Sequence, residues 1–182
     1  MKRRTIIGLS ITAFVVIAIT ISLPTIYRHL DEGYQKAQDP VRQKHVDQIL
    51  GIVATYKKKV GHLPLEPEAK KEGIPFMAVI GRNEAEEDYF ANLDVLRRGG
   101  GYVNSTLFER ILTEGLGQTV NLPRDPQSVA TYAPNVYLYF ISPPQVCAVA
   151  HLYFASNISK EYEWEGGKFH SHAKCYEYDS EI

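Results

Sequence analysis

The sequence predicts an α+β domain held behind a membrane-spanning helix, and three observations carry that expectation. Residues 6–23, "IIGLSITAFVVIAITISL", contain no charge; residues 40–60 repeat apolar side chains at helical spacing; and β-branched and aromatic residues gather in the C-terminal third. Helices first and strands last is the order of an α+β domain. The expected architecture is an N-terminal transmembrane helix, then a long amphipathic helix packed on a small C-terminal antiparallel sheet of about three strands.

At about 1.5 Å of rise per residue the apolar run covers roughly 27 Å as a helix, close to the hydrocarbon thickness of a bilayer. Its C-terminal flank, Ile21-Ser22-Leu23-Pro24, has no small-residue cleavage pattern, so the run reads as a retained anchor and not a removed signal peptide. Lys2, Arg3 and Arg4 precede it, while Asp31 and Glu32 follow soon after Arg28. The positive-inside rule then leaves residues 1–5 in the cytoplasm, a single-pass anchor at 6–27 in the inner membrane, a linker at 28–39 and a periplasmic or extracellular domain at 40–182.

The chain has 182 residues and a formal net charge of −1. With three basic residues assigned to the anchor flank, the external part is mildly acidic, which argues against a nucleic-acid partner. Lys57-Lys58-Lys59 reads as a solvated helix end that complements the helix dipole.

Asp39-Pro40 has the form of a helix start, an N-cap followed by proline at the first position. Val46, Ile49, Leu50, Val53 and Val60 then form one apolar stripe, widened by Ile52 and Tyr56, and Gly61 ends the helix. "FMAVIG" at 76–81 is too brief to assign. Asn83 caps a second helix that runs to two arginines and three glycines. Thr106 and Glu109 have capping-box spacing ahead of a short third helix. Residues 132–142 read as a strand. "VCAVAHLYF" (146–154) and "KFHSHAKCYEY" (168–178) read as two strands of one hairpin, joined by a polar loop.

The only two cysteines, Cys147 and Cys175, lie on those two strands. An oxidising compartment would join them in a disulfide; in a reducing one they would be two buried thiols. If Cys147 faces Cys175, His151 faces Ser171 on the cysteine face, and alternation puts His170 and His172 on the other. Three ligands for a zinc ion then do not converge, and surface histidines are the expectation. No catalytic constellation or cofactor fingerprint is present, so a non-enzymatic chain without cofactor or metal is expected. Of twelve tyrosines, Tyr132, Tyr137, Tyr139, Tyr153, Tyr162, Tyr176 and Tyr178 lie in the strand-rich end. Tyr162 and Trp164, in the 155–168 loop, are the candidates for a partner contact, because such side chains give rigid amphipathic contact area.

The layout resembles that of type IV pilins and type II secretion pseudopilins. "YKKKVGHLP" supplies Tyr56, Gly61, Leu63 and Pro64 at the spacing with which that family ends its long helix, and "LPRDP" supplies Pro123, Asp125 and Pro126 of its pre-sheet turn. "GLSITAFVVIAI" lies against the family's leader, which implies a processing position at Gly8 with Leu9 as the first mature residue. Ala13 stands where the family carries a membrane-buried glutamate, and the tail "CYEYDSEI" lacks its calcium loop. The resemblance implies contacts with other envelope or secretion-assembly proteins. A tethered periplasmic inhibitor or sensor module is the first alternative, and a zinc-dependent hydrolase the second.

Overall fold

The computed structural model describes residues 33–34, 36–91, 99–126, 136–152, 160–164 and 167–178. The chain divides into two compact units, Met1–Ala37 and Gln38–Ile182. The expected anchor at 6–27, with Gly8 and Leu9, lies outside the described residues. Among the described residues no helix is long and apolar enough to cross a membrane. Everything below concerns the second unit.

Its first helix, α1, covers residues 38–60. Gln38 and Asp39 are already helical, so Asp39-Pro40 does not start the helix as expected. The Asp39 carboxylate is drawn instead to Arg42 one turn on, at 2.9 Å. Val46, Ile49, Val53 and Tyr56 are buried, as the stripe requires. The helix ends at Gly61, whose φ of 95° suits glycine and whose N–H bonds Lys57 O at 2.8 Å. A tight turn follows in which Leu63, Pro64 and Leu65 are all buried. Leu65 takes a left-handed φ of 64°, which a leucine adopts only under constraint. The constraints are visible: Glu66 of the next helix, α2 (Glu66–Glu72), accepts from Leu63 N–H at 2.7 Å, and Tyr139 donates its hydroxyl to Pro64 O at 3.0 Å.

The strands are β1 (Phe76–Ile80), β2 (Gly101–Asn104), β3 (Tyr137–Ser142), β4 (Gln145–Leu152), β5 (Lys160–Trp164) and β6 (Gly167–Glu177). They form one six-stranded sheet in the order β2-β1-β3-β4-β6-β5. This corrects the expected small antiparallel sheet in three ways. The unassigned "FMAVI" is a strand at the heart of the sheet, antiparallel to β3. Helix α3 (Glu84–Phe90) carries the chain across from β1 to β2, which pairs with it in parallel. The segment expected as a loop contains β5, so β4 and β6 pair directly while β5 adds outside β6. Its sequence, "KEYEW", gives only a short alternation, and its charges suit an edge strand.

The third expected helix is α4 (Ser105–Leu116), but its cap is Asn104, which accepts from Leu107 N–H at 2.9 Å. Glu109 is not its capping partner; it accepts from Leu122 N–H at 2.8 Å and ties down the segment that follows the helix.

The sheet has two differently covered faces. Phe76, Ala78 and Ile80, Tyr137, Tyr139 and Ile141, and Val146, Ala148 and Ala150 share the main core with α1 and with Phe108, Leu112 and Leu116 of α4. Phe108 stacks on Tyr139 with centroids 4.9 Å apart. Helix α4 approaches α1 so closely that a Cβ on Gly115 would sit 2.2 Å from the Tyr56 ring. The opposite face holds a second cluster of Val79, Phe90, Ala91 and Val136, so α3 lies across the sheet from α1. Buried Glu87 of α3 fixes that crossover, accepting from Gly81 N–H at 2.8 Å and Ser105 N–H at 2.9 Å.

Candidate functional site

The largest departure from apolar burial lies on α1 itself. Arg42 is 0% exposed. Its Nε donates to Asp125 Oδ2 at 2.8 Å, its Nη2 to Asp125 Oδ1 at 3.2 Å and its Nη1 to Asp39 Oδ1 at 2.9 Å. A bidentate guanidinium–carboxylate pair supplies planar geometry as well as charge. Burial alone would lower the guanidinium's pKa, but the hydrogen bonds and charges of Asp125 and Asp39 outweigh it and raise it. The pair pins the Pro123-Arg124-Asp125-Pro126 turn to α1. One turn on, His45 Nδ1 lies 2.8 Å from Tyr137 Oη, and the two rings meet edge to face at 5.5 Å. Burial raises the Tyr137 phenol well above its ordinary range and lowers the His45 imidazole. These groups are committed to holding helix, turn and sheet together.

The C-terminal strands carry the disulfide. Cys147 and Cys175 face each other across β4 and β6 and are joined, closing a sequence separation of 28 residues. In the same register His151 faces Ser171, His172 faces Ala150 and His170 faces Leu152. The alternation read from the sequence therefore holds, and it divides the histidines between the two faces. The expectation of surface histidines fails for His151, which is 5% exposed, and His170 and His172 are half-buried. Among the described residues no three His, Cys, Asp or Glu side chains are grouped to hold a metal ion. On β5, Tyr162 pairs in register with Phe169 and Trp164 with Gly167; the side chains of Tyr162 and Trp164 lie outside the described set.

Burial, followed by the charges of Arg42 and His170, pulls the His151 imidazole down from 6.5 to about 3. His151 is therefore neutral in the fold at neutral pH, while in the unfolded chain it protonates near 6.5. Below that pH the unfolded state binds the extra proton, so folding stability is full above 6.5 and falls as pH drops toward 3. The expected slope is about 1.4 kcal/mol per pH unit. Glu66 has its pKa lowered: burial opposes this, but the Leu63 N–H bond and Lys70 outweigh it, so its contribution is lost only below about 4.5. Between pH 6 and 5 the slope is shared by His151 and His45, whose imidazole burial also lowers. Chemical denaturation of His151→Gln across that interval should show a shallower slope, with the His45 part remaining; an unchanged slope would contradict the burial of a neutral imidazole at His151.

A further feature is an open groove of about 620 Å³ between α1 and β6. Leu50, Gly51 and Ala54 line its helix side and Tyr176 its strand side. A Cβ built on Gly51 meets nothing within 4 Å, so this glycine leaves the groove open. Lysines rim it: Lys57 and Lys58 on α1, and Lys174 on β6, whose Nζ bridges to Asp47 Oδ1 at 2.7 Å. That bridge joins two exposed side chains and adds little stability. The Lys57-Lys58-Lys59 run is thus divided in role. Lys59 bonds Leu116 O, Lys57 lies 5.2 Å from the Tyr178 ring centroid, and Lys58 is exposed on the rim.

Sequence reasoning missed Arg42 and the groove. An arginine four residues before Val46, on the buried stripe and one turn after an aspartate, was a legible signal for the first. For the groove, Gly51 and Ala54 in the middle of a helix were the trace, but their strand-side partners Lys174 and Tyr176 come into view only with the β4–β6 pairing. In comparison with known proteins, no family model, curated protein or solved structure matches the chain.

Proposed function

We propose that this chain is a membrane-tethered, non-enzymatic protein of pilin-like layout that works by protein–protein contact in a secretion or pilus-type envelope assembly. The observation that carries the reading is α1. A long helix lies along one face of the sheet, is ended at Gly61-His62-Leu63-Pro64, and is tied to the Pro-Arg-Asp-Pro turn through Arg42 and Asp125. Those two short motifs are the ones that resemble pilins and pseudopilins. An apolar run at 6–23 upstream of such a helix supplies an anchor in series with it. The disulfide fits a domain outside the reducing cytoplasm.

The parallel β1–α3–β2 unit favours one alternative, a tethered inhibitor or sensor module that shares the layout but binds a different partner. Gly8 and Leu9 remain the proposed processing position, and Tyr162 and Trp164 a proposed contact. The reading predicts that full-length chain stays in the membrane pellet after alkaline extraction and is digested by protease added from outside. Release of intact chain by alkali would overturn the anchor.

A further inference from the structure

We propose that the α1–β6 groove receives helix α3 of a second copy of this chain, in a head-to-tail contact; the proposal rests on the tethered, contact-forming reading above. The groove is apolar at its floor and basic at its rim, with Lys57, Lys58 and Lys174 against the single carboxylate of Asp47. An occupant must bring apolar or aromatic surface and negative charge together.

The chain carries such a surface elsewhere. Helix α3, "EAEEDYF", exposes Glu84 and Asp88 one turn apart, with exposed Ala85 beside them. Tyr89 follows, and at 57% it is the most exposed large hydrophobic side chain among the described residues. Like carboxylates at i and i+4 repel each other, so a cationic counter-surface relieves the pair. Tyrosine is a side chain that anchors contacts by filling a pocket.

Geometry makes the pairing intermolecular. The groove lies beside α1 on one face of the sheet, whereas α3 packs on the opposite face through Phe90 and Val79. One copy cannot fill its own groove with its own α3. Two different patches that complement each other make a heterologous contact, which extends into rings or rows instead of stopping at a two-fold dimer. The groove is small relative to a standard interface of roughly 800 Å² per partner, so the contact is weak in solution. Anchoring in one membrane raises the effective concentration and compensates.

The test uses sedimentation of the full-length chain in mild detergent at low and high salt. Wild type should self-associate at low salt, and association should weaken at least about tenfold at high salt, because exposed charges are screened. Lys58→Glu with Lys174→Glu should abolish it, as should Glu84→Lys with Asp88→Lys in a separate variant. Mixing the two variants should restore association, since each then meets a surface of opposite charge. Gly51→Leu fills the groove without altering charge and favours the helix, so its loss of association is not a loss of folding.

Wild type that remains monomeric at roughly 100 µM and low salt, well above the micromolar affinities of many weak interfaces, overturns the proposal. So do charge-reversed variants or Gly51→Leu that associate as wild type does, or a mixture that fails to rescue. A monomer that is nonetheless membrane-held defeats this contact and leaves the tether standing. Charge-dependent association by a chain that alkali releases from the membrane defeats the tether and leaves the contact.

Discussion

Replacing Asp125 with alanine should cost about 3–5 kcal/mol of folding stability, the range for breaking a buried ion pair by removing one partner. Arg42 is fully buried, and the Asp125 side chain is 4% exposed, so solvent cannot take over the lost bonds. Asp39 would still accept from Nη1, but the bidentate carboxylate would be gone. Asp125→Asn keeps one acceptor oxygen while removing the charge, and should fall between wild type and alanine. Urea unfolding followed by circular dichroism checks both variants. A loss below about 1 kcal/mol, the range of an exposed pair, would mean that the turn does not hold Arg42 as described.

The second large effect is expected from the disulfide. Cys147→Ser with Cys175→Ser removes a cross-link over 28 residues, worth about 3–4 kcal/mol in the chain-entropy model. The loss should be uneven. Strands β5 and β6 lie at the end of the order β2-β1-β3-β4-β6-β5, and the bridge ties β6 to β4. Without it, hydrogen exchange should rise in β5 and β6 well before it rises in β1 and β3, whose side chains fill the main core. Since Lys174 and Tyr176 belong to β6, the groove should loosen with it. Equal midpoints for oxidised and serine-substituted protein would deny the bridge any structural part.

The parts of this fold that were legible in the sequence are those with strong periodicity or clear termination. The α1 stripe from Val46 to Tyr56 and the stop at Gly61 followed from spacing, and the Cys147–Cys175 register from supposing that the two cysteines are joined. What escaped was decided by tertiary partners. The five residues Phe76–Ile80 have no period to read, because β1 is covered on both faces, by α1 through Ala78 and by α3 through Val79. Strand β5 is five residues long, with only Glu161 and Glu163 alternating with Tyr162 and Trp164, and its place is fixed by pairing with β6. Asn104 took the cap expected of Thr106, and Glu109 turned to Leu122 instead. Of the site residues, Lys57 and Lys58 were visible as a charge run. Their meaning depended on Lys174 and Tyr176, more than a hundred residues away in sequence and brought near by β6.

Thiol trapping in intact cells tests most directly whether this domain lies outside the cytoplasm. Cells are quenched with acid, free thiols are blocked, and disulfides are then reduced and labelled with a mass tag. The account predicts that Cys147 and Cys175 are both tagged only after reduction, in chain recovered from the membrane fraction. Cysteines blocked in the first step, as free thiols, would place the domain in a reducing compartment and contradict the tethered external reading.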